Sequence, residues 1–120
     1  MNLTAILKNS GTITQQDIDN VQINLKLISE LICQYYNLQE FQIFSKSRIR
    51  DLVIPRQMFH YLARKYTNET LNNIATYSPF RYFTHANVLY SKKTIDNLSS
   101  YSNVVMQDVK YFETLLNINQ

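Results

Sequence analysis

Tyr35 to Ala75 reads YYNLQEFQIFSKSRIRDLVIPRQMFHYLARKYTNETLNNIA. Its middle, Lys46 to Arg56, carries four cations in eleven positions, with Ile49, Leu52, Val53 and Ile54 between them. The apolar interruptions argue against a solvated basic tail, and the crowding of cations argues against ordinary surface. Pro55 suits the first turn of a helix, where its missing N–H costs nothing. Met58, Phe59, Leu62 and Tyr66 then recur at helical spacing. Thr67-Asn68-Glu69-Thr70 reads as a break with capping residues, and Leu71 with Ile74 as a short helix. Tyr77-Ser78-Pro79 ends it, since a residue before proline disfavours helix. Upstream of the cations, Gln39 to Phe44 forms another short helix.

Working outward, residues 1–13 read as a loose lead-in with Asn9, Ser10 and Gly11 as breakers, and 14–120 as a single domain. Thr14 caps the first long helix, with Asp17 in its first turn. Ile18, Val21, Leu25, Ile28, Ile32 and Tyr35 give that helix one apolar face, which ends near Asn37. Downstream, a helix from Thr84 to Leu98 sets Val88, Leu89, Lys92, Ile95 and Leu98 on or beside one face. After Ser99-Ser100 a last helix carries Val104, Val105, Val109, Phe112 and Leu116. A helix, a tight break, a short helix, a second break and a longer helix is the order of a helix-turn-helix.

Composition agrees with an all-α domain. One glycine and two prolines leave little room for the turns of an all-β chain. With 120 residues, 45% of them apolar, the chain can bury one core unaided. Cys33 is the only cysteine, so no intrachain disulfide exists; among Leu31, Ile32 and Tyr35 it reads as a small buried residue. No charged start with an apolar run marks a secretory leader, and no run is long enough to span a membrane. The expected location is cytoplasmic, with no membrane partner. The net charge of +3 is unevenly spread: Lys46 to Lys93 holds nine Lys/Arg and two acids, the remainder three Lys and seven acids. The first of these portions is a candidate surface for a polyanion.

Catalytic classes are excluded by what is missing. There are no paired carboxylates, no nucleophile with its base, and no glycine-rich phosphate cradle, Gly11 being the only glycine. His60 and His85 lack a cluster with metal-ligand spacing. No enzyme activity, cofactor or metal is expected.

The 35–75 stretch resembles the C-terminal DNA-binding domain of the bacterial replication initiator DnaA. The shared features are the pair Tyr35-Tyr36, a short helix, a basic loop opening Ser45-Lys46, then Pro55-Arg56-Gln57, Tyr61-Leu62-Ala63-Arg64 and Thr67. THANVLYSKKTI, from Thr84, is similar to the family's recognition helix, with His85, Val88, Leu89 and Ile95 in register. The resemblance covers residues 28 to 112. Phe83 and Thr84 stand where the family has Arg and Asp, Ala86-Asn87 where it has a Thr pair, and Tyr90 where it has His. Ser78-Pro79-Phe80 replaces its glycine-containing turn, and the family's nucleotide-binding module is absent from the sequence.

The resemblance implies an all-α fold of about six helices with a Trp-repressor-like helix-turn-helix, and double-stranded DNA as partner. It implies a recognition helix in the major groove, where Thr84, His85, Ala86, Asn87 and Tyr90 meet bases. It implies a loop laying Lys46, Arg48 and Arg50 along DNA, with Arg48 in a minor groove narrowed at A·T-rich sequence. Ile49, Leu52, Val53 and Ile54 are expected to pin that loop to the core. Arg56 and Gln57 at a helix start, and Arg64, Thr67, Asn68 and Thr70 around the turn, are the expected phosphate contacts. Ordinary capping explains the threonines equally well. His60 is expected to be half-buried. Val88 and Leu89 are expected to face the core, leaving Asn87 outward to offer adenine a donor and an acceptor. The role implied is replication initiation or its regulation, from a host, a phage or a mobile element, with a replication protein as a further partner. The rival reading is a protein-interaction module on the same fold, using Phe80, Tyr82 and Phe83 as a hydrophobic patch.

Overall fold

The structure, a computed structural model, describes residues 23–78 and 82–118. Among these described residues are six helices: α1 Leu25–Tyr36, α2 Glu40–Ile43, α3 Arg50–Tyr66, α4 Leu71–Ala75, α5 His85–Ser99 and α6 Asn103–Ile118. Among the described residues there is no strand. The expected all-α architecture is what the chain adopts.

α1 starts where Asn24 turns extended and its Oδ1 accepts the Leu27 amide at 2.8 Å. The expected earlier start is therefore corrected to Leu25; Thr14, Ile18, Val21 and the lead-in lie outside the described residues. At its other end Asn37 takes φ 55°, a left-handed conformation that asparagine tolerates. The amides of Asn37 and Leu38 both close on the Cys33 carbonyl. Cys33 itself is half-buried rather than buried, and burial, with Glu40 and Glu30 nearby, pushes its thiol up to about 11.

α3 begins at Arg50, not at Pro55. The Ile49 carbonyl receives the amides of Leu52 and Val53, each at 2.9 Å. Pro55 thus sits in the second turn and leaves the Asp51 carbonyl without its helical donor. Partial burial of Leu52, Val53 and Ile54 offsets that loss. The earlier start makes Pro55–Ala63 the middle of the helix, and every one of those residues is buried. An amphipathic helix buries only a stripe, so this run needs neighbours on all sides. α1, α2, α4 and α5 supply them. Met58, Phe59, Leu62 and Ala63 lie at the centre, among Ile28 and Ile32 of α1, Ile74 of α4, and Val88 and Ile95 of α5. Among the described residues no buried side-chain polar atom lacks a hydrogen-bond partner.

α6 is held by polar contacts as well as by Val105, Val109, Phe112, Leu115 and Leu116. The hydroxyls of Tyr35 and Tyr36 donate to the two oxygens of the buried Asp108, at 2.6 and 2.9 Å. Lys65 pairs with Glu113, and Tyr66 donates to Asn117 Oδ1 at 3.1 Å. Val104, expected on the apolar face, is 69% exposed. No helix among the described residues is long and apolar enough to cross a membrane.

Candidate nucleic-acid interface

Lys46, Arg48 and Arg50 are all exposed. Of the four apolar residues expected to pin their backbone, Leu52, Val53 and Ile54 are half-buried, whereas the Ile49 side chain is 63% exposed. Ser45 and Ser47, on either side of Lys46, add a short ladder. Ser45 Oγ donates to the Gln42 carbonyl at 2.8 Å, the Ser47 amide donates to Ser45 Oγ at 3.3 Å, and the Ile49 amide to Ser47 Oγ at 3.2 Å. Local side-chain bonds of this kind replace the missing ladder of a regular element. Arg50 occupies the first turn of α3 rather than a loop.

Arg56 completes the anchorage. It is 8% exposed; its Nε donates to the Ile43 carbonyl at 2.7 Å and its Nη2 to the Ser47 carbonyl at 3.0 Å. Burial lowers its pKa. The guanidinium lies 5.1 Å from the centroid of Phe83. Gln57 is buried beside it. Both were expected to meet phosphate from a helix start; the true start at Arg50 puts them in the packed middle of α3 instead. His60, expected half-buried, is fully buried, with Nδ1 2.9 Å from Ser91 Oγ of α5 and its ring 5.8 Å from Phe83.

α5 opens at Thr84. Its amide donates to Asn87 Oδ1 at 2.7 Å, and its hydroxyl reaches the same oxygen at 3.2 Å. Asn87 is exposed, on the outer side as expected, and its side-chain oxygen is turned back to cap the helix. Val88, Ser91 and Ile95 form the buried face. Leu89, expected to share it, is 43% exposed. Thr84, His85, Ala86, Leu89, Tyr90 and Lys93 are all exposed, and Ala86, Leu89, Tyr90 and Lys93 fall on one stripe by helical spacing.

The segment before α5 reaches the basic segment directly. Lys46 Nζ lies 4.5 Å from the centroid of Tyr82, and Arg56 lies over Phe83. Neither aromatic was read in this role. A signal existed: Phe83 immediately before the cap Thr84, and Val88 four places after it, have the spacing of a hydrophobic staple. Ser91 carried no such signal.

The remaining residues form a separate group. Arg64 sits fourteen positions beyond Arg50 on α3, about 21 Å along the axis. It is exposed, as are Asn68 and Thr70. Thr67 Oγ1 donates to the Ala63 carbonyl at 2.6 Å, and Thr70 Oγ1 caps α4 by accepting the Asn73 amide at 3.1 Å. Capping therefore accounts for both threonines.

A family model described as the bacterial dnaA protein helix-turn-helix matches residues 25–95, from the first residue of α1 into α5. Similar proteins include the chromosomal replication initiator protein DnaA of Buchnera aphidicola subsp. Baizongia pistaciae, 33% identical over 96 residues, which are 80% of this chain and 20% of that protein. The Flavobacterium psychrophilum protein of the same name is 32% identical over 94 residues, 77% of this chain and 19% of that one. The Enterococcus faecalis protein is 28% identical over 96 residues, 80% and 21% respectively. The chain spans about a fifth of the length of these relatives. Because the family model matches more than half of the chain, from α1 into α5, this chain belongs to the bacterial DnaA helix-turn-helix family.

Proposed function

We propose that this domain binds double-stranded DNA sequence-specifically, reading a box related to the family's in replication initiation or its regulation. The observation that carries this reading is the division of labour in α5. Val88, Ser91 and Ile95 hold the helix to the core, which leaves His85, Ala86, Leu89 and Tyr90 of its first turns exposed beside the outward cations of 46–50. α5 enters the major groove by its N-terminal turns, where His85 and Tyr90 offer polar groups and Ala86 an apolar contact for a thymine methyl. Arg48 enters the adjacent minor groove, whose narrow A·T-rich form attracts arginine. Lys46, Arg50 and Arg64 take phosphates, which position the domain without reading sequence.

Of the rival protein-docking patch, Phe83 is turned inward while Tyr82 stays 45% exposed. Phe83 is half-buried against Arg56 and His60, and Tyr82 carries Lys46 on its ring; Phe80 lies outside the described residues. Selection from a random duplex pool tests the proposal. The expected result is one enriched motif with A·T-rich sequence on one flank. Binding that enriches no motif, or no binding at all, defeats it.

A further inference from the structure

We infer that Arg56 is a positioning residue for sequence reading: it clamps the basic segment to the lead-in of α5, so that Arg48 and the recognition helix meet DNA as one rigid body. The inference rests on the DNA-binding reading for its consequence, but its geometry stands independently of it. One guanidinium holds three parts of the chain. Its edge bonds to the carbonyls of Ile43 and Ser47, on either side of Lys46. Its stem belongs to the central helix α3. Its face lies on Phe83, one residue before the cap of α5. A planar fork with several donors and a stackable face does all three at once; an ammonium does not. Outside this clamp sits a second, exposed one, Lys46 on Tyr82. Inside it, Phe83 contacts His60, whose Nδ1 meets Ser91 of α5. The contacts therefore run without a break from the backbone beside Arg48 to the buried face of the recognition helix.

The consequence concerns specificity more than affinity. An arginine that touched phosphate would, when removed, weaken every duplex alike and lower the salt slope by about 1. An arginine that sets the distance between two reading elements acts otherwise. Its loss leaves each element able to touch DNA but lets them drift apart, so the preferred site loses its advantage over random sequence.

Two measurements on Arg56→Gln, which removes the charge together with the guanidinium fork, test this, with Phe83→Leu as a second variant should the first unfold. The first needs no DNA. Spin labels at Ile49→Cys and Lys93→Cys, in a Cys33→Ser background, report the distance from the basic segment to α5. A narrow distribution that broadens in either variant is expected; an unchanged distribution overturns the clamp whether or not the protein binds DNA. The second compares binding to a selected site and to random duplex. A fall of about tenfold or more in their ratio, with the salt slope on random duplex unchanged, is expected. Equal loss on both duplexes with a slope lower by about 1 makes Arg56 a phosphate contact and overturns the positioning role. Wild type that binds no duplex defeats the DNA reading alone, because the label distances still decide the clamp.

Discussion

At the scale of single residues, His60 shows how a buried polar group is committed. Ser91 has one hydroxyl hydrogen and gives it to the Asn87 carbonyl at 2.8 Å, so its oxygen accepts from His60. Nδ1 of His60 then carries a proton. Burial, helped by the charge of Arg56, pushes its pKa down to about 4. The unfolded chain takes up this proton first as pH falls, so stability declines from about pH 6.5 to about 4 and levels below, by about 1.4 kcal/mol per unit and about 3 in all. His60→Asn keeps a donor near Ser91 and does not titrate. It should be less stable at neutral pH yet flatter through that window, as urea unfolding at several pH values would reveal; parallel curves would refute the assignment. Asn87 gives a second residue-scale prediction. As a cap, its replacement by Ala should cost about 0.5–1 kcal/mol, and Asn87→Gln, which suits a capping box, should recover it. The DNA sequence selected by Asn87→Gln should match that of wild type. A change of preferred base at one position would show that Asn87 leaves its cap to read DNA.

At the scale of elements, α6 depends on one carboxylate shared by two tyrosines of α1. Tyr36 is the more buried donor, and burial first, then the charge of Asp108, drives its pKa far up. Tyr36→Phe should destabilise by about 1.5–3 kcal/mol, the range for a hydrogen bond to a charged group. Tyr35→Phe should cost less, because water reaches that hydroxyl more easily. A double-mutant cycle of Tyr36→Phe with Asp108→Asn, followed by denaturant unfolding, measures the coupling; strict additivity would mean that the bond contributes nothing to docking α6. The periodicity of Ile28, Ile32, Met58, Phe59, Leu62, Val88 and Ile95 was enough to read the helices and most of the core, because apolar residues repeat there at helical spacing. What escaped was polar or conformational. Pro55 is a start signal when nothing upstream is buried, but Leu52 to Ile54 half-bury and carry the helix past it. Arg56 and Ser91 face inward because partners on other elements satisfy them, and no local pattern announces such partners. Leu89 was assigned to the core in place of Ser91 for the same reason.

At the scale of the whole molecule, the charge that matters for DNA is smaller than the sequence total. Lys46 to Lys93 holds nine cations against two acids. Arg56 is buried in the clamp, and Lys65 and Lys92 pair with Glu113 and Asp96. Arg81 lies outside the described residues. Lys46, Arg48, Arg50, Arg64 and Lys93 remain exposed. If Arg48 sits in the minor groove and the other four neutralise phosphates, affinity should fall with salt at a log–log slope of about −4. Arg64→Ala should reduce that slope by about 1 and weaken all duplexes alike, since a phosphate contact carries no sequence information. Arg48→Ala should instead abolish the preference for A·T-rich flanks while leaving binding to G·C-rich flanks nearly unchanged, because only the narrow groove rewards the inserted guanidinium. Titrations of both variants on two duplexes that differ only in their flanks, across low to moderate salt, separate the roles. A flat salt response would exclude a phosphate-bound domain, and equal losses for both variants on both flanks would place Arg48 on the backbone rather than in the groove.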